Sequence, residues 1–241
     1  MLKYTVLSIT KDLGFTKSVI NPVVIESDSG VILFDAGYPN QLDDFKAAMK
    51  KSGYSLSDIT MIVVSHHDHD HIGSLKAFIN ENPNIKAAAN EIEANYISGE
   101  QKSVRLIQAE EFNKKLDGKE KVFGEQFVQY LKTIEPCNVS KTVKENEYIC
   151  EGVRVVNTPG HTPGHISLLM ENEKVFFAGD ALAVENGKLV IANPQFTLDM
   201  EETRRSLEKI RNLEIETLIC YHGNVFSGNI RNGIDEILNN K

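Results

Sequence analysis

The sequence predicts an α/β protein, and three features carry that prediction. Short apolar runs rich in β-branched residues recur along it, among them "MIVVS", "VRVVN", "KVFFAG" and "TLICY", the pattern expected of buried strands. Segments with helical spacing lie between such runs, as at 41–51, where Leu42, Phe45 and Met49 share one face. Each of the four runs leads into a histidine or an aspartate. If these strands lie in neighbouring sheets, their ends converge on one edge and line a shared cleft.

Taken in order, "MLKYTVLSITKDLGF" alternates like a strand and lacks the continuous apolar stretch and small-residue cleavage site of a secretory signal. "NPVVIESDSGVILFDAGYP" holds two apolar runs around Ser-Asp-Ser-Gly, a hairpin signal. A helix over 41–51 and the strand "DITMIVVS" follow. From 91 to 131 the pattern turns helical and strongly charged, with Gly99, Gly118 and Gly124 as breaks. Strands resume at "VRVVNT", "HISLLM", "KVFFAG" and "KLVIAN", then a helix at 201–212, the strand "TLICY" and a closing helix in "GNIRNGIDEILNN". No Pro/Ser-rich linker divides the chain, so the expectation is one domain over 1–241.

The 241 residues, 41% hydrophobic and 25% charged, suffice for a full core. A formal charge of −8 argues against a nucleic-acid partner, which would favour a basic footprint. Cys137, Cys150 and Cys220 are odd in number and form no CxxC pair, which points to free thiols in a reducing compartment. No apolar run approaches the roughly 18 residues of a membrane span. The expectation is a cytoplasmic protein acting on a small molecule, with no membrane partner.

The histidines carry the functional signal. "SHHDHDHIG" alone holds four of the seven, with two aspartates. Such density has no packing rationale, because imidazoles and carboxylates are poor core fillers. The remaining histidines are His161 and His165 in "TPGHTPGH" and His222 in "YHG", each place following an apolar strand. The strand "KVFFAG" delivers Asp180 in the same way. Neutral imidazole with carboxylate suits zinc, and also iron or manganese. Two metals roughly 3.5–4 Å apart need about seven protein ligands including a shared carboxylate, and the sequence supplies about that number.

These residues resemble the metallo-β-lactamase superfamily, whose signature is T/S-H-x-H-x-D-H-x-G after a strand, then a His in "TPGHT", an Asp in a "GD" pair and a late His. "SHHDHDHIG", "TPGHTPGH", "FAGDA" and "YHG" match in kind, order and approximate spacing. The resemblance implies an αββα four-layer sandwich of two mixed β-sheets with the site along one edge. It also places the helical stretch, at about 91–135, where related enzymes carry a substrate cap.

Aligning on Asp70-His71-x-Gly73 sets His66 on the family's first histidine and Asp68 where its second normally stands, an H-x-D-x-D-H variant. The resemblance then implies one metal site of His66, Asp68 and His161, another of Asp70, His71 and His222, and Asp180 as the bridge. His67 and His69 point elsewhere in this alignment; a shifted one that uses them breaks the Asp-His-x-Gly frame. An aspartate in place of an imidazole adds charge and a harder ligand, which raises the relative preference for iron or manganese, although zinc stays the first choice. Asp35 in "FDAG" matches a position able to orient a metal-bound histidine. His165 reads as a supporting residue, and Asn193, Pro194 and Asp199 resemble a segment of the site rim. Tyr221 is expected to point away from His222 by strand alternation.

The implied chemistry is hydrolysis of a lactone, thioester or related ester by a metal-bridging hydroxide, with Asp70 and Asp180 as the catalytic carboxylates. Two other readings stay open at this point. One is a di-iron oxidoreductase reducing oxygen or nitric oxide with a separate electron donor; the other is a metal-binding protein without catalysis.

Overall fold

The computed structural model describes residues 2–12, 17–28, 30–223 and 225–240. Met1 and residues 13–15 of the expected first strand and Ser29 of the expected hairpin turn lie outside them.

One sheet has six strands in the order β1 (Lys3–Val6), β4 (Val23–Ser27), β5 (Gly30–Phe34), β6 (Ile59–Val63), β7 (Lys86–Asn90) and β8 (Lys141–Val143). The first three pair antiparallel and the rest parallel. A second sheet runs β15 (Thr217–Ile219), β12 (Val175–Phe177), β11 (Ile166–Met170), β10 (Val153–Asn157) and β9 (Tyr148–Cys150). It is antiparallel except where β12 meets β15. Two small ribbons complete the strands, β2 (Ile9–Asp12) with β3 (Lys17–Ile20) and β13 (Ala183–Glu185) with β14 (Lys188–Val190). The helices are α1 (Leu42–Lys51), α2 (His69–Ile72), α3 (Leu75–Glu81), α4 (Glu91–Ile97), α5 (Val104–Asn113), α6 (Gly118–Leu131), α7 (Met200–Arg211) and α8 (Ile230–Asn239).

The period-2 pattern of the strands sorts the buried side chains into three cores. On β5, Ile32 and Phe34 face the other sheet, where they meet Val155, Leu168 and Phe177. Val31 and Leu33 face the opposite way, onto Phe45, Met49 and Phe78 of α1 and α3. On the second sheet, Leu169, Phe176 and Leu218 turn outward onto Leu207, Ile210 and Ile234 of α7 and α8. Strands buried on both faces read as continuous apolar runs, which is why "GVILF" and "HISLLM" show no alternation. Helices, sheet, sheet and helices form the expected αββα sandwich.

Between β7 and β8 the chain builds α4, α5 and α6. Side chains at the ends set these helices: Asn90 accepts the backbone N–H of Ile92, and Ser103 that of Leu106. Gly99 and Gly118 fall at breaks, with φ of +78° and +56°. Gly124 does not break the helix. It lies inside α6 where a Cβ would collide with Asn113 Oδ1, so its role is the close approach of α5 and α6.

Candidate metal centre

The sandwich brings strand ends together. β10, β12 and β15 run in one direction, and the loops after them carry His161, Asp180 and His222. The chain leaving β6 carries Ser65 and His66, and the Ser65 carbonyl accepts the N–H of Ile166, joining the two sheets at this edge. Gly160, with φ of +135°, lets the "TPGH" loop lie against the start of α7, where a Cβ would come within 2.5 Å of the Thr203 nitrogen.

All seven residues aligned with the family ligands converge. His66, Asp68 and His161 form one tight group and Asp70, His71 and His222 another, the ligand atoms of each lying within 4.8 Å of one another. Asp180 stands between them: its Oδ2 is 3.6 Å from His161 Nε2, while Oδ1 is 3.4 Å from His71 Nε2 and 3.5 Å from His222 Nε2. The Nε2 atoms of His66, His71 and His222 and Oδ1 of Asp180 are buried without a hydrogen-bond partner. Buried polar atoms are normally satisfied. Four orphaned ligand atoms aimed at one space fit bound cations, and this donor set suits zinc, iron or manganese.

The electrostatics hold the carboxylates ionised. Burial alone raises the Asp180 carboxyl, but His222, His71 and His161 outweigh it and hold it well below the carboxylate range. Asp70 is likewise lowered against its burial by His69, His71 and His222. His66 is pushed down, first by burial and then by His71, which favours the neutral imidazole a metal would need.

Supporting residues fix the imidazoles. Asp35, in the left-handed region at φ of +68°, accepts from His71 Nδ1 at 2.9 Å and from both the N–H and the hydroxyl of Ser65. A proton on Nδ1 leaves His71 Nε2 free to ligate. His165 lies outside both groups; its Nε2 accepts the Asp180 N–H at 2.9 Å while Nδ1 lies 2.8 Å from the Thr158 hydroxyl. His67 and His69 also fall outside both groups. His67 is stacked on Tyr96, while His69 stays beside Asp70, its Nδ1 3.7 Å from Oδ1, and lies edge-on to Tyr38, Phe127 and Tyr130. The rim segment also touches the site: Thr197 Oγ1 is 3.4 Å from His161 Nδ1. Asp199 instead caps α7, accepting the Glu202 N–H.

Three contributors were missed in the sequence. Tyr221, expected to point away from His222, lies edge-on to that imidazole with ring centroids 5.1 Å apart; its ring packs on His71 and its hydroxyl donates to the Asp70 carbonyl at 2.6 Å. Glu93 of α4 is wholly buried and ties two ligand loops, accepting from the His67 N–H and Nδ1 and from the Thr162 hydroxyl and Gly164 N–H. Arg105 of α5 donates through Nη2 to Asp68 Oδ2 at 2.6 Å and through Nε to both carboxylate oxygens. Burial raises the Asp68 carboxyl, and Arg105 leads the groups that override it and hold it well below the usual range. The charge that aspartate adds at this position is therefore met by a guanidinium. Neither Glu93 nor Arg105 carries a motif signal; both are single charges in a strongly charged helical stretch.

Known proteins share this chain's pattern. A protein named probable metallo-hydrolase YflN, from Bacillus subtilis (strain 168), is 27% identical over 94% of this chain and 89% of its own length. An N-acyl homoserine lactonase from a Bacillus species is also 27% identical, over 63% of this chain and 58% of the enzyme. Among solved structures, a metallo-beta-lactamase family protein from Thermus thermophilus superposes with a TM-score of 0.73 at 20% identity, covering 98% of this chain and 78% of that one. The family model for the metallo-beta-lactamase superfamily matches residues 16–222. With that match spanning most of its length, the chain belongs to the metallo-beta-lactamase superfamily and is a metal-dependent hydrolase.

Proposed function

We propose a binuclear zinc hydrolase of lactones, thioesters or related esters that works in a reducing compartment, the cytoplasm. His66, Asp68 and His161 would hold one ion, Asp70, His71 and His222 the other, and Asp180 both. The observation that carries this reading is the placement of the two Asp180 oxygens, one toward each imidazole group. Bound cations would lower the pKa of water toward neutrality and polarise a carbonyl. Asp70, kept ionised and 3.2 Å from His222 Nε2, would orient water and accept its proton at a carboxylate oxygen.

An apolar portion of the substrate fits the helices after β7. A cavity of about 850 Å³ lies between α5 and α6, lined by Arg105, Phe112, Leu116, Phe123, Phe127 and Phe196. It is of the size that takes a small molecule, which supports a substrate-cap role for α5 and α6. The likeness to an enzyme named for lactone cleavage supports the lactone class. The three cysteines, all free thiols, support the reducing compartment. Among the described residues no helix is long and apolar enough to cross a membrane.

The test is metal content per chain in protein purified without added metal or chelator, followed by lactone and thioester screening. About two zinc ions with turnover is the expected result. Two irons with oxygen consumption would replace the hydrolase reading by the redox one. Less than one metal, not restored by reconstitution, would overturn the binuclear centre.

A further inference from the structure

We infer that Arg105 makes the two halves of the ligand cluster unequal, so that metal loads first at Asp70, His71 and His222 and more weakly at His66, Asp68 and His161. This rests on the binuclear reading above.

The observation is an ion pair inside the ligand set. Asp68 and Arg105 are 5% and 4% exposed, and the guanidinium meets the carboxylate through Nη2 and Nε. The oxygen closest to Nη2, Oδ2, is the one that faces His161 Nε2 at 3.1 Å and His66 Nε2 at 3.5 Å. A cation bound by this group must therefore share that oxygen with a fixed positive charge. The guanidinium is also anchored on its other side. Nη1 donates to Gln108 Oε1 at 2.5 Å and to the Phe196 carbonyl at 2.8 Å, and the plane lies over the Phe196 ring.

The other half has no such rival. Among the described residues, the ion pairs of Asp35, Asp70 and Asp180 are all with histidines. In formal charge, Asp68 and Arg105 cancel where Asp70 stands alone, and an arginine is not deprotonated in proteins. Glu93 adds a negative charge near this half, but its oxygens are engaged by His67, Thr162 and Gly164 and do not face the ligand atoms. Arg105 therefore remains the charge that touches the Asp68 carboxylate. If the guanidinium stays, it repels the incoming cation at short range; if it swings away, loading breaks a buried, hydrogen-bonded ion pair. Both routes weaken the same step.

Calorimetric titration of the chelator-stripped chain with zinc alone, backed by a competing chromophoric chelator, tests the inference. The expected isotherm has two steps separated by more than about tenfold. Arg105→Gln should tighten the weaker step by about tenfold or more and leave the tighter one in place, whereas Arg105→Lys, which keeps the charge, should stay nearer the parent. Should Arg105→Gln fail to fold by circular dichroism, Gln108→Ala loosens the anchor instead and should tighten the weaker step by about threefold. Two equal steps in the parent chain, or a weaker step that loosens or does not move in the variant that folds, would overturn the role of Arg105 while leaving the binuclear centre intact. No zinc binding at all would overturn that centre, and this inference with it.

Discussion

The group Asp70, His71 and His222 and the group His66, Asp68 and His161 both lie against Asp180, yet they are supported differently. The first is braced by the sandwich itself. Asp35 at the end of β5 accepts from His71, and Tyr221 at the end of β15 packs on His71 and holds the Asp70 carbonyl. The second is braced by the helices after β7, through Glu93 of α4 and Arg105 of α5. The difference teaches that the strand ends brace both halves, Ser65 reaching His66 as well as His71, whereas the charged braces from α4 and α5 are added to one half. Changes at Glu93 and Arg105 should therefore act chiefly on that half.

The largest expected effect removes what the halves share. Asp180→Asn should weaken zinc binding at both groups and lower turnover by about a thousandfold or more, since an amide cannot bridge two cations as a carboxylate does. Metal analysis and kinetics on one preparation check it. A fully metallated, active variant would end the bridging assignment and the comparison with it.

Glu93→Ala breaks the outer support alone. It leaves the His67 and Gly164 N–H groups without their acceptor in a buried place, and should cost about 3 kcal/mol or more in chemical denaturation of the metal-free chain. The pH dependence sharpens this. Burial raises the Glu93 carboxyl, but His67 and Thr162 help bring it below its ordinary value of 4.5. A depressed carboxyl contributes stability that is present above its ordinary value and lost as pH falls through the folded one. The gap between parent and variant should thus stay level above 4.5 and shrink below it. A gap that widens toward acid would contradict the assignment.

Tyr221→Phe is the smallest of the three. It removes one buried hydrogen bond to the Asp70 carbonyl while keeping the ring on His71, at a cost of about 1 kcal/mol. Zinc titration should show the tighter step loosened by a few-fold and the weaker one unmoved. A loss confined to the weaker step would reverse the division between the halves.

Most of the fold and the ligand pattern was legible because both are written in local order. Strand runs, helical spacing at 41–51, and histidines placed just after strands are short-range signals. β7 was not legible: "KAAAN" is poor in the branched and aromatic residues that favour strands, and its three alanines become a strand because the parallel strands on either side accept them. The partners of the ligands were hidden for a different reason. Glu93 and Arg105 stand 26 and 37 residues from the His67 and Asp68 they hold. Both sit among many exposed charges of the same kind.

By itself, then, the sequence determined the sandwich and its superfamily and picked out residues that the fold brings together, because each depends on residue type and near-neighbour spacing. Only the tertiary structure decided which charges of the helical stretch are buried against the ligands. That choice depends on how α4 and α5 pack over the sheet edge, and burial turns an ordinary surface charge into a partner whose loss is costly.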